Sequence, residues 1–339
     1  MSLNSFNNKT TGYEVANAYG GDITGKNVLI TGANPQGLGA AAARAIATAG
    51  PALIILTYRT KEKIDELLTE LRETYPNVPF QALELHLELP DSIRRAAEEL
   101  NASITHLDIL INNAGVMSVQ ELILTPAGIE SHFAINHLGH FLFTNLIMEK
   151  LIAGAKRSGP GKTRVINLAG DWHHFSQIRF DDLSFQGNPI PLEQQPDKDY
   201  LAKYGLATDN VYIPEVGYAQ SKTANILFSV YLTQHLSKYG ILSFSPNPGG
   251  VFTDIARYMP QTTIDHLLGM DVIDKNQEQG ASTILTAAFD PNLTADSEPY
   301  LRNCQSVPPK DYAKDKEISK KLWHLSERLV KQDFPLIFV

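Results

Sequence analysis

The stretch KNVLITGANPQGLGAAAARAIATAG, Lys26 to Gly50, decides the fold. KNVLI reads as a short apolar strand. TGANPQGLG breaks it with Gly32, Gly37 and Gly39, and AAAARAIATAG continues as an alanine-rich helix. A glycine pattern gains meaning when it follows a strand and opens a helix. Gly32 allows a tight turn, and Gly37 and Gly39 let backbone and helix approach closely. The turn also holds Asn34 and Leu38. The helix start offers free N–H groups and a positive dipole end, which suit a diphosphate.

Outward from this turn, strand and helix keep alternating. ALIILTYR (Ala52–Arg59), PFQALELHL (Pro79–Leu87), DILINNAG, RVINLAG and ILSFSPNPGG read as strands. KEKIDELLTELRETY, DSIRRAAEELNA, the segment around Ala127–Lys150 and Tyr218–Tyr239 read as helices. This alternation predicts a parallel sheet with helices on both faces. The expected architecture is α/β: a single doubly wound Rossmann domain over residues 23–335, with a mostly parallel seven-stranded sheet, after an irregular lead-in at 1–22. Residues 186–217 break the pattern. They carry four prolines and three tyrosines. So long a loop inside a compact domain is expected to serve function, here as an insertion over the substrate.

The chain has 339 residues, of which 43% are hydrophobic, enough for one large core. Its net charge of −8 argues against nucleic acid or an anionic membrane as partner. Its one cysteine, Cys304, excludes an intrachain disulfide and a cysteine-built zinc cluster. The N-terminus is polar, and no run of about 18 apolar residues occurs. A cytoplasmic protein is expected, with no metal and with a homodimer left open.

The second strand ends in Thr57-Tyr58-Arg59. No acid is there for a ribose 2′-hydroxyl, and Arg59 suits a 2′-phosphate, so NADP(H) is the expected cofactor. Five motifs then converge: TGANPQGLG, NNAG (Asn112–Gly115), FAINHLGHF (Phe133–Phe141), YAQSK (Tyr218–Lys222) and NPGGVFT (Asn247–Thr253). Their order and spacing resemble the short-chain dehydrogenase/reductase superfamily over roughly residues 22–330. The wording NHLGHFLFT and YAQSKTANILF is most similar to the branch of retinol dehydrogenases and WW-domain oxidoreductases, including fungal relatives. The resemblance implies that Asn136, Tyr218 and Lys222 are catalytic, with Asn136 ordering a water relay. It implies cofactor contacts from the glycine turn, from Asn113, Ala114 and Gly115, from Pro248, Gly249 and Thr253, and from Tyr218 and Lys222. His86 falls where the family usually places an adenine-contacting Asp. Five steps separate Gly32 from Gly37 where four are common, a lengthened phosphate loop.

One family member is missing. The catalytic serine belongs in an Asn-hydrophobic-Ser-Ser pattern, which here reads Asn167-Leu168-Ala169-Gly170. Gly170 replaces it, followed by Asp171. Tyr218 and Lys222 are four apart and share a helix face, and the ammonium is expected to lower the phenol's pKa. Such a tyrosine exchanges a proton with a carbonyl oxygen as hydride moves to or from a nicotinamide. Asp171 is read either as a turn-capping residue in solvent or as an acid/base group. His173 and His174 are read as loop histidines.

Three functions compete. The first is NADP(H)-dependent interconversion of a carbonyl and an alcohol on an apolar small molecule. The second is a non-redox cyclase, dehydratase or isomerase of natural-product biosynthesis, using Asp171 and Tyr218. The third is a cofactor sensor without turnover, which the intact Tyr218–Lys222 pair and Asn136 disfavour.

Overall fold

β1 (Asn27–Ile30) is hydrogen-bonded on both sides, to β2 (Leu53–Tyr58) and β4 (Ile109–Asn112). A parallel strand so placed is buried on both faces, so Val28, Leu29 and Ile30 run apolar without alternation. The computed structural model describes residues 6–270 and 272–338. β3 (Phe80–Glu84), β5 (Thr163–Asn167), β6 (Ile241–Asn247), β7 (Tyr300–Arg302) and β8 (Gln305–Val307) complete the sheet. Its order is β3-β2-β1-β4-β5-β6-β7-β8. The direction of winding reverses between β1 and β4, the switch point at which doubly wound sheets bind ligands.

Among the described residues the sheet has eight strands rather than the expected seven. β8 is antiparallel to β7 and returns through Asn303 and Cys304, both at positive φ (51° and 63°). Two such residues make a tight hairpin turn. Three-residue strands are too short to show a period in the sequence. Helices cover both faces. On one face, helix Leu38–Ala47 and helix Gln277–Phe289 pack over β1 and β2. On the other lie Pro90–Ser103, Gly139–Leu146 and Pro214–Leu236, with Trp323 from helix Lys316–Val330.

Three expectations are corrected in detail. The lead-in is not irregular where it is described: Gly12–Ala18 and Gly20–Ile23 are helical. Thr11 and Glu14 form a capping box at the first of these. A Cβ at Gly12 would stand 3.1 Å from Ala281 and 3.2 Å from Ala45, so this helix packs tightly onto the domain. The single helix expected around Ala127–Lys150 is broken. Ser131–Phe133 runs into a π turn, Ala134–Leu138, then Gly139–Leu146, with Met148–Ser158 separate. The π turn inserts one residue into the ladder at Asn136, as single π turns at functional sites often do. The insertion ends at Ile213, because Pro214 opens the helix that carries Tyr218. Before that it holds helix Lys198–Lys203, anchored by buried Leu201 against Phe175, Phe185 and Val216. No helix among the described residues is long and apolar enough to cross a membrane.

Candidate active site

A cavity of about 560 Å³ lies at the carboxyl ends of β1, β2, β4, β5 and β6. Its first limb is the glycine turn. Gly32 has φ +71°, and a Cβ there would sit 2.7 Å from that of Ala114, so only glycine fits. Thr57 Oγ1 accepts from the Gly32 N–H at 3.1 Å. Thr31 Oγ1 accepts from the N–H groups of Asn113 (2.9 Å) and Ala114 (3.0 Å). The turn is therefore braced from β2 and β4. Helix Leu38–Ala47 starts at Gly37 with no side-chain cap, which leaves its first N–H groups for an anion. Gly32, Asn34, Gly37, Leu38, Arg59, Asn113, Ala114, Gly115, Pro248, Gly249 and Thr253 all line the cavity. Lys63, which the sequence reading passed over, joins Arg59 in the wall. Across the mouth, the Asn34 amide donates to Asp254 Oδ2, which also lies 3.5 Å from Lys63.

Two expected cofactor contacts are not in the wall. Gly39 lies behind it, where a Cβ would meet Asn113 Nδ2 at 2.8 Å, so close packing there demands glycine. The His86 ring stands between Glu84 (3.1 Å) and Glu88 (3.8 Å), and only Glu88 of the three reaches the cavity.

The second limb holds the chemistry. Tyr218, Lys222, Gly170 and Asp171 line it together. Lys222 Nζ donates to the Leu168 carbonyl at 3.0 Å and lies 5.3 Å from the Tyr218 ring centre. Burial pushes the lysine down to about 8. Burial also pushes the Tyr218 phenol above its ordinary value, where the sequence reading expected it lowered. Desolvation of the phenolate outweighs the ammonium here. Trp172 packs edge-on against Tyr218, ring centres 5.6 Å apart. Met117, Tyr204, Met259 and Leu267 extend the apolar surface. Tyr204 comes from the 186–213 insertion.

Gly170 is extended (φ −178°), and a Cβ built on it meets nothing within 4 Å. Asp171 is neither free in solvent nor unpartnered. Tyr300 donates to its Oδ1 at 2.8 Å, and Arg302 lies 3.3 Å from Oδ2. His173 is fully buried. Its Nε2 accepts from the Lys310 N–H, so its Nδ1 donates to the Gly170 carbonyl at 2.7 Å. Burial pushes it down to about 4. A neutral His173 thus fixes the loop, as expected of a loop histidine.

Asn136 stands behind the wall. Its side chain accepts from the Val116 N–H (2.8 Å) and donates to the Val116 carbonyl (2.9 Å) and to Ser221 Oγ (2.9 Å). Its own carbonyl accepts from His140 Nδ1 at 3.0 Å, and Thr31 Oγ1 lies 2.8 Å from His140 Nε2. Burial pushes His140 down to about 4, so it is neutral and Thr31 donates to it. His137 takes a different partner, Ser326, and His132 another, Glu130, so the three helix histidines do not converge.

The sequence has clear relatives. The short chain dehydrogenase family matches residues 26–170. Oxidoreductase fscI of Fusarium equiseti is 37% identical over 255 residues, 75% of this chain and 98% of its own length. Retinol dehydrogenase 12 of Mus musculus is 34% identical over 308 residues, 91% of this chain and 87% of its own. The fold is shared with NADPH-bound carbonyl reductase from chicken fatty liver, at TM-score 0.59 and 19% identity, covering 84% of this chain and all of that one (100%). The glycine turn, the Tyr218–Lys222 pair and these relatives agree: the chain belongs to the short-chain dehydrogenases, in the branch of the retinol dehydrogenases, and is an oxidoreductase with a site for a nicotinamide cofactor.

Proposed function

We propose that the protein interconverts a carbonyl and an alcohol on an apolar small molecule, with NADP(H) as hydride partner. The observation that carries this reading is that Tyr218 and Lys222 share one cavity with the Gly32–Leu38 turn. The glycine cradle and the uncapped helix start fit a diphosphate, and Arg59 with Lys63 fits a 2′-phosphate. Bound NADPH supplies the hydride. Tyr218 gives its phenolic proton to the carbonyl oxygen and takes it back in the oxidative direction. Lys222, held by the Leu168 carbonyl, supports the phenolate so formed. Trp172, Met117, Tyr204 and Leu267 exclude water from the apolar body of the substrate. The name of retinol dehydrogenase 12 and the NADPH of the chicken reductase point the same way. The 186–213 insertion acts as a lid over the substrate, since Tyr204 faces the cavity. Loss of absorbance from NADPH mixed with hydrophobic ketones tests the reading; no consumption with any of them, in either direction, would sink it.

A non-redox reading keeps one point in its favour, the open space beside Gly170. Against it, Asp171 is tied to Tyr300 and Arg302, which turn it toward β7.

NADPH is expected to bind about tenfold or more tightly than NADH, the worth of one or two charge-assisted hydrogen bonds. Arg59→Ala should erase most of that difference. Fluorescence titration of both cofactors checks it, and equal affinities in the unaltered protein would refute it.

Carbonyl reduction is also expected to fall as pH rises through about 8, the value to which burial brings Lys222. Below it the ammonium is present and supports the phenolate; above it that support is lost. A kcat/KM profile flat from pH 7 to pH 9.5, roughly one and a half units beyond that value, would contradict the assignment.

A further inference from the structure

We infer that Val116–Val119 is a tethered wall that sets which substrates the cavity accepts, with Met117 as specificity-determining side chain and His132 and Tyr212 as its positioning residues. The inference rests on the proposed carbonyl chemistry only in its choice of substrates.

The segment follows β4 and passes from the cofactor turn to the substrate limb. Its terminal backbone groups are satisfied by side chains, where a strand would use a neighbouring backbone. At one end Asn136 takes both groups of Val116. At the other, the Val119 N–H donates to His132 Nε2 at 3.2 Å, and the Tyr212 hydroxyl donates to the Val119 carbonyl at 2.9 Å. Between them Ser118 is buried at φ +50°, an uncommon conformation for a residue with a side chain. Such a backbone persists only where its surroundings over-determine it. Met117 lies in this held span and lines the cavity beside Trp172 and Tyr204.

His132 is itself held. Because its Nε2 accepts from Val119, its Nδ1 carries the hydrogen and donates to Glu130 Oε1 at 2.7 Å. Glu130 is fully buried. Burial alone would raise its carboxyl, but hydrogen bonds from the His132 ring and from the backbone of His132 and Phe133 hold it below the ordinary value. A buried carboxylate is costly unless well paired. The pair also abuts the active helix. A Cβ on Gly217 would stand 3.1 Å from His132 Nδ1, and the His132 ring lies edge-on to Tyr218, centres 6.1 Å apart.

Tyr212 belongs to the insertion, so the lid is hydrogen-bonded to the pocket wall at the Val119 carbonyl, besides packing Tyr204 near Met117. Placement of the lid and placement of Met117 are therefore one event. Two positions 93 residues apart in sequence decide the width of the substrate limb jointly.

The test compares kcat/KM for a slim and a bulky hydrophobic ketone in the full-length protein. Met117→Ala should shift the ratio toward the bulky ketone by about tenfold, as for a changed methylene or two in an apolar pocket. Tyr212→Phe removes one hydroxyl and nothing else. It should shift the ratio two- to tenfold, roughly the worth of a hydrogen bond. His132→Leu should shift it further, and His132→Gln, which keeps a donor and an acceptor, should restore much of it. Combining Tyr212→Phe with His132→Leu should be non-additive, since both act on Val119. A uniform loss for both ketones, with the ratio kept, would mean a merely structural role and overturn the inference. If neither ketone is turned over, the same variants are titrated with anilinonaphthalene sulfonate. Affinities altered in the same rank order would uphold the wall while the carbonyl reading fell; unaltered affinities would refute the wall as well.

Discussion

Tyr218→Phe is expected to remove nearly all carbonyl turnover, about 1,000-fold or more. A positioned general acid contributes about 100- to 10,000-fold. On the proposed chemistry position 170 supplies no second donor, because Gly170 offers no hydroxyl. Tyr218 thus carries the developing oxyanion without help from position 170, and its loss should fall at the upper end of that range. The change deletes one oxygen from a buried ring packed on Trp172, so the fold and the cofactor turn should persist. NADPH affinity measured beside kcat separates the two effects. A Tyr218→Phe variant that forms product at near-normal rate without consuming NADPH would replace the redox reading with the non-redox one. Asp171→Asn would then be the crippling change.

Gly170→Ser should act in the opposite direction. Removing a single oxyanion donor costs other enzymes about 100- to 1,000-fold, so restoring one is expected to raise turnover of small ketones by up to about 100-fold. The backbone permits it, since an extended residue with no atom within 4 Å of its Cβ can take a serine without strain. The natural substrate should respond differently if it uses that space, with a raised KM. Steady-state kinetics on both substrate types decides. A serine that lowers turnover of small ketones would mean that the space beside position 170 is needed for something other than a donor.

The strands, the glycine turn and the Tyr218–Lys222 pair were legible because each is written in consecutive or helically spaced residues. The place of Gly170 beside the cavity was legible in the same way, since it directly follows the end of β5 and Leu168-Ala169. The helix at Gly12–Ala18 could have been found from Thr11 and Glu14 alone. The partners of Asp171 were not legible, because Tyr300 and Arg302 lie some 130 residues away, on a strand of three residues. Lys63 reaches the cavity from the first turn of helix Lys61–Thr74, which follows β2. Arg59 was legible as a cavity residue, since it directly follows β2. Asn136 was placed in the right helix, but no period in the sequence announces the π turn, and so its side chain's use in holding Val116 was hidden.

The bonds beneath the cofactor turn all run one way. Two amide hydrogens point to the Thr31 oxygen, the Thr31 hydrogen points to His140, and the remaining hydrogen of His140 points to the Asn136 carbonyl. A carbonyl oxygen hands no proton onward, and a hydroxyl already accepting twice has no room to take one back. This chain is a strut and not a wire. The π turn that carries Asn136 is thereby locked to the nucleotide turn by a link that carries position but no charge.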